Sequence, residues 1–226
     1  MDIHRYSLWE HTGHLLVELP EGTALVDTGS PVSIGRGGVL SFAGQGIRLQ
    51  ESLLGVTTDT ISAHLGADIN FLLGMDVLCD RDVDFDLRNG VLEVGRDLGE
   101  CSGEALPLEF IGGVPALDVG VAGQRALAVF DTGAPISYAA RPLVEGLEPV
   151  RTVEDFHPSV GVFTTPLYPV NWAVGAIELA GHAGILPESF ESALEQTGVT
   201  AILGTEILVN HRARLSVVRK SLALWT

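Results

Sequence analysis

The chain has 226 residues, of which 46% are hydrophobic, with 13 basic and 29 acidic side chains and a formal net charge of -16. That hydrophobic share excludes a disordered chain, and the acidic balance argues against nucleic acid as a partner, since phosphate backbones are held by clustered Lys and Arg. Apolar runs such as ALAVF at 126–130 fall far short of the ~20 residues of a membrane span, and charge interrupts the N-terminal MDIHRYSLWE, so the sequence predicts a soluble, cytoplasmic protein with no membrane partner.

Taken in chain order, the elements read mostly as strands. HLLVEL (14–19), TALVD (23–27), VLSFA (39–43) and IRLQ (47–50) are short apolar or alternating runs bounded by turn residues. TTDTISAHLG (57–66) begins with capping residues and stops at Gly66, which predicts a short helix. FLLGMDVL (71–78) follows, and then VDFDL and VLEV flank Asn89-Gly90, a strong hairpin signal. The polar DLGECSGE (97–104) reads as a junction, giving an N-terminal unit over 1–99, a linker over 100–104 and a C-terminal unit over 105–226. In the second unit ALAVFD (126–131) is again a strand, PESFESALEQTG (187–198) a second short helix started by Pro187, and AILGTEIL (201–208) closes the pattern.

The two units repeat one another. ALVDTGSPVS at 24–33 and AVFDTGAPIS at 128–137 share Ala, Asp, Thr, Gly, Pro and Ser in register. A single Asp-Thr-Gly is a common surface turn, expected by chance in roughly a few per cent of chains this long; a second copy in matched surroundings is not. FLLGMDVL matches AILGTEIL, with an acid two positions after each glycine, and SFAGQ (41–45) is paired with ELAGH (178–182), each read as a strand-like approach to a turn glycine. Three matched blocks in one order predict two copies of one domain in a single chain. Each apolar strand ends in Asp and turns at once through Thr-Gly, which leaves a carboxylate at the mouth of a loop. Across a pseudo-two-fold axis Asp27 and Asp131 would face each other. Two carboxylates that close hold one proton between them over a broad pH range and so supply an acid and a base together.

Asp-Thr-Gly followed by Ser or Ala, with a later apolar-apolar-Gly, resembles the aspartic peptidases, both the two-lobed pepsin-like enzymes and the dimeric retroviral ones. The resemblance spans nearly the whole chain as pattern and implies a mostly β acid-protease fold of two homologous retropepsin-like β-barrel lobes, fused as in pepsin. It implies that Asp27 and Asp131 are the catalytic pair, that Thr28 and Thr132 hydrogen-bond across the lobe interface, and that Gly29 and Gly133 let the backbones approach. Leu72-Leu73-Gly74 and Ile202-Leu203-Gly204 would support the two loops. Ser30 can donate a hydroxyl bond to its carboxylate, whereas Ala134 cannot.

The resemblance also implies a flap, and spacing assigns it to the second unit. Asp131 to Gly181 spans 50 residues, but Asp27 to Gly44 only 17. The extra length includes VEDFHPSVGVFTTPLYPVNW, whose arms flank a predicted tip at His157, Pro158, Ser159, Val160 and Gly161, with Phe156, Phe163 and Tyr168 as candidates to cover a substrate. The first unit holds only SIGRGG in the corresponding gap.

Other residues point nowhere specific. Cys79 and Cys101 read as idle thiols, and His64, His157 and His182 as surface or turn residues, since no HExxH or zinc spacing occurs. GRGG and AGQG lack the lysine of a phosphate loop. No metal and no cofactor are implied. The sequence therefore predicts a monomeric aspartic endopeptidase acting on peptides or proteins. A peptide-binding protein of the same fold without turnover is the alternative, which retention of both aspartates, threonines and glycines disfavours.

Overall fold

The computed structural model describes residues 2–37, 39–157 and 160–226. Strands dominate, joined by tight turns, with short helices at Thr58–Leu65, Met75–Leu78 and Glu188–Glu195 among the described residues. The first of these is capped as its sequence predicts: the Thr57 hydroxyl accepts from the Thr60 amide, and Gly66 ends the helix in the left-handed conformation at φ 64°.

Both halves contribute to one long sheet. Its order runs through Glu104–Pro107, Ser221–Trp225, Arg212–Ser216, Asp82–Asp86, Val91–Gly95 and His4–His11, then on through His14–Leu19, Gly22–Val26, Phe71–Leu73 and Ile34–Gly35. The halves meet where Asp82–Asp86 pairs antiparallel with Arg212–Ser216. Strand periodicity sorts the side chains there: Val83 and Phe85 enter the apolar core, while Asp82, Asp84 and Asp86 lie on the opposite face. Asp84 is fully buried and accepts from Arg212 Nε at 2.6 Å and from Arg214 Nε at 3.0 Å and Nη2 at 2.5 Å. The acidic run at 80–86 is thus largely an internal ion-pair network, because the arginines that neutralise it arrive from the far end of the chain.

A second sheet belongs to the C-terminal half. It orders Tyr138–Ala139, Ala201–Leu203, Gln124–Phe130, Val114–Val121, Gly161–Val174 and Arg151–His157, with Ile177–Ala183 paired to the long strand. The predicted hairpin is present, with pairs running from Arg151↔Leu167 to His157↔Gly161. Pro158 and Ser159, part of its predicted tip, lie outside the described residues.

One of the three sequence matches needs correction. Gly44 sits in the turn between Val39–Phe42 and Gln45–Arg48, but Gly181 lies inside a strand, paired with Val170. The turn equivalent to Gly44 is at Gly175, where φ is 60° against 75° at Gly44. The short apolar-apolar-Gly-like pattern around 178–182 misled because a glycine in a strand and one in a turn look alike in sequence. The insertion in the C-terminal half remains, though shorter than the count to Gly181.

Candidate active site between the two halves

Each Asp-Thr-Gly loop is built the same way. The strand leading into it pairs in parallel with its apolar-apolar-Gly strand, Leu25↔Leu72 and Val26↔Leu73 in one half, Val129↔Ile202 and Phe130↔Leu203 in the other. The Asp27 amide then donates to Leu73 O at 2.9 Å and the Asp131 amide to Leu203 O at 3.0 Å. Gly74 and Gly204 are needed for closeness rather than for an unusual φ: a Cβ would stand 2.7 Å from Ser30 O at the first and 2.7 Å from Ala134 O at the second.

A serine fastens each loop from behind. Ser33 Oγ accepts from the Gly74 amide at 2.8 Å and donates to Asp76 Oδ1 at 2.5 Å; Ser137 Oγ accepts from the Gly204 amide at 3.0 Å, and Glu206 stands in sequence where Asp76 does in the other half. Those are the two acids that follow each glycine in sequence. Burial pushes the Glu206 carboxyl above its ordinary value.

The loops interlock at buried threonines. The Thr28 amide donates to Thr132 Oγ1 and the Thr132 amide to Thr28 Oγ1, each at 3.0 Å, while the two hydroxyls donate onward to Phe130 O at 2.7 Å and Val26 O at 2.8 Å. Above them the carboxylates cross: a Cβ on Gly29 would stand 2.3 Å from both Asp131 oxygens, and one on Gly133 would stand 2.5 Å from Asp27 Oδ1. Glycine at both positions is what lets each carboxylate rest on the opposite loop.

Asp27 Oδ1 accepts from the Ser30 amide at 2.9 Å, and Asp131 Oδ1 from the Gly133 amide at 2.8 Å. The Ser30 hydroxyl does not bond its carboxylate, contrary to the sequence expectation; it turns to Val32 O at 2.8 Å. Ser30 and Ala134 therefore leave the two carboxylates with the same kind of backbone support. Both carboxyls open on a cleft but are otherwise enclosed by protein, and enclosure raises both above the ordinary aspartate value. Asp27 is raised further by the charge of Asp131 and by a hydrogen bond between the two. They titrate as a pair.

The cleft holds about 210 Å³ and is walled by apolar groups from both halves, among them Leu25, Ile34 and Ile61 on one side and Tyr138, Leu186 and Ile202 on the other. Of the residues predicted to cover it, Phe156, His157 and Phe163 line it, whereas Val160, Gly161 and Tyr168 do not. Phe156 reaches across to the N-terminal half, packing beside the cluster of Leu25, Ile61 and Leu65 with its ring centroid 4.8 Å from that of His64. His157 packs at a tilt against Phe190, ring centroids 4.0 Å apart.

His64 is exposed, as the surface reading has it, on a helix beside the cleft, whereas His157 lies half-buried at the end of a strand of the hairpin. His182 likewise lies within a strand, paired with Pro169. His14, buried at the cleft, has its imidazole held below its usual value by burial, and so does His157. Sequence reasoning missed one wall segment altogether, the hairpin Ser52–Leu53/Val56–Thr57. Its signal was a Leu-Gly turn between single apolar residues, Leu53 and Val56, without the Asn or Asp that marks such turns. Among the described residues no three His, Cys, Asp or Glu side chains gather where they could hold a metal, and no helix is long and apolar enough to cross a membrane.

No protein-family model and no curated protein sequence matches the chain. Its fold is similar to that of the aspartic proteinase from Irpex lacteus, with a TM-score of 0.55 over 99% of this chain and 97% of that one, at 11% identity. At that identity the likeness is one of fold, and the chain has the mostly β architecture of an aspartic proteinase.

Proposed function

We propose that this protein is an aspartic endopeptidase whose catalytic pair is Asp27 and Asp131. The observation that carries the reading is the crossed seating of the two enclosed carboxylates, each against the glycine of the opposite loop, at the floor of one cleft. A binding protein needs no second carboxylate there. Because burial and mutual repulsion favour a single proton on the pair, one member is a base while its partner is an acid. The base takes a proton from a water held between them, the water oxygen attacks the scissile carbonyl, and the acid donates to the carbonyl oxygen. Collapse of the tetrahedral intermediate returns the carbonyl as a proton reaches the departing nitrogen.

Thr28, Thr132 and the two glycines hold the geometry. Peptides with large apolar side chains beside the scissile bond suit the apolar walls. The hairpin Arg151–His157/Gly161–Val174 acts as a lid that lifts to admit substrate and excludes water when closed. Since both carboxylates come from one chain, the monomer is the working unit.

The test is cleavage of a diverse peptide mixture between pH 3 and pH 7 by the wild type, Asp27→Asn and Asp131→Asn. Each variant is expected to lose at least ~10³ of the rate while remaining folded. Near wild-type turnover in either would sink the assignment, and peptide binding without cleavage by the wild type would establish the non-enzymatic alternative.

A further inference from the structure

The hairpin of the N-terminal half that borders the cleft turns through two residues, Leu54 and Gly55, between the pairs Ser52↔Thr57 and Leu53↔Val56. Both turn residues have positive φ, 52° and 82°. That is the pattern of a two-residue hairpin turn that favours Asn, Asp or Gly at its first position, because a side chain there crowds the backbone. The same Xaa-Gly arrangement occurs at Thr12-Gly13, Ala43-Gly44 and Ala122-Gly123, where the first residue is small or polar. Leu54 alone among the described positive-φ residues is a large apolar one.

Burial does not compensate for this. Leu54 is 74% exposed, the most exposed large hydrophobic side chain among the described residues, while its neighbour Leu53 packs against the apolar cluster of Leu16, Leu25 and Ile61. Leu54 nonetheless lines the cleft that holds the two carboxylates. A residue disfavoured by its own backbone and unrewarded by its own core is explained by what covers it when the cleft is filled.

We propose that Leu54 is a specificity-determining contact: the lip it tips closes on an apolar side chain of an extended peptide lying in the N-terminal half of the cleft. Substrate is then gripped between two unlike lips, a long one carrying Phe156 and Phe163 and a two-residue one carrying Leu54. The inference rests on the peptidase reading above, and its test separates the two.

The variants are Leu54→Asn, which suits the turn but removes the apolar contact, and Leu54→Met, which keeps the contact. Thermal unfolding, sedimentation, and kcat and KM on peptides with Leu or Ala at each position are measured, with titration by a peptide carrying a central statine. Leu54→Asn is expected to unfold at the same or a higher temperature than the wild type, to raise KM about tenfold on Leu-bearing peptides, and to change kcat and the Ala-bearing peptides little. Leu54→Met is expected to behave as the wild type. Wild-type KM in Leu54→Asn would overturn the proposal while leaving the peptidase reading intact. A fall in unfolding temperature would make Leu54 structural, and a loss of self-association would make the lip a contact between copies; either overturns it. A wild type that neither cleaves peptides nor binds the statine peptide would remove both readings together.

Discussion

The Tyr138 hydroxyl donates to the Asp155 carboxylate, and Phe163, the cross-strand partner of Asp155, holds its ring centroid 6.3 Å from that of Tyr138. Cross-strand partners project from the same face of a hairpin, so one buried tyrosine at the end of the second Asp-Thr-Gly loop engages both arms of the long hairpin at once. Lower down, Thr165 Oγ1 donates to Ile185 O at 2.8 Å and accepts from the Ile185 amide at 2.7 Å. The hairpin is therefore riveted at its base, and the Tyr138 contact with Asp155 is a polar hold at mid-length. Burial, and then the neighbouring Asp155, push the tyrosine hydroxyl upward in pKa, so it stays a donor at any working pH.

Removing that donor is expected to free the outer half of the hairpin. Tyr138→Phe leaves a buried carboxylate short of a partner, which costs about 1–3 kcal/mol. Hydrogen exchange is expected to quicken over 152–157 and 161–164 but not at the riveted base or in Gln124–Phe130. A statine peptide in the cleft is expected to slow exchange over the same segment in the wild type. Unchanged exchange at 152–157 in Tyr138→Phe would show that the contact does not hold the hairpin.

The carboxylate pair also carries a signature in stability against pH. Both aspartates are raised in the fold relative to the unfolded chain, so the folded state binds more protons as pH climbs past the ordinary carboxylate value of ~4. Their contribution is favourable below that value and is lost as pH rises through the folded pair's own titration. Asp27→Asn is accordingly expected to unfold at a higher temperature than the wild type at pH 7 and at about the same temperature near pH 3. Calorimetry across that range checks it; a variant less stable than the wild type at pH 7 would contradict the sign.

Asp84 tests the seam between the halves. It is fully buried with Arg214 nearly so, and cutting one member out of a buried ion pair leaves the other charge uncompensated. Asp84→Ala is expected to cost about 3–5 kcal/mol in urea unfolding. Asp80, exposed and loosely paired with Arg81 at 3.4 Å and Arg96 at 3.9 Å, is expected to tolerate Ala within about 0.5 kcal/mol.

Self-sufficiency of one chain is checked by dilution. Specific activity is expected to stay constant over a thousandfold dilution, because no second chain supplies part of the pair. Activity that falls in step with dissociation measured by light scattering would refute it.

Much of the site was legible in sequence because close contact leaves a strict local pattern. Only glycine fits at 29, 133, 74 and 204, so Asp-Thr-Gly and apolar-apolar-Gly appear twice and betray the two loops. The acids two positions after each second glycine were visible too, although the role of Asp76 in holding Ser33 was not. What sequence hid was everything that depends on partners far along the chain. The Ser30 hydroxyl had a nearer acceptor in Val32 O. Tyr138 and Asp155 lie 17 residues apart on separate elements with no motif between them. The pairing of the acids at 82, 84 and 86 was invisible because Arg212, Arg214 and Arg219 follow more than a hundred residues later.

That separation has a consequence for the growing polypeptide. The strand Asp82–Asp86 emerges from the ribosome well before its partner Arg212–Ser216, a gap of 128 residues between Asp84 and Arg212. At ~5–20 residues per second the wait is roughly 6–25 s, during which Val83 and Phe85 belong to an open strand edge. Such an edge is a template for pairing with the wrong chain, and charge is the usual safeguard. The three aspartates that alternate with those apolar residues keep neighbouring nascent chains apart by repulsion until the arginines arrive, so one set of carboxylates guards the edge during synthesis and seals the seam afterwards.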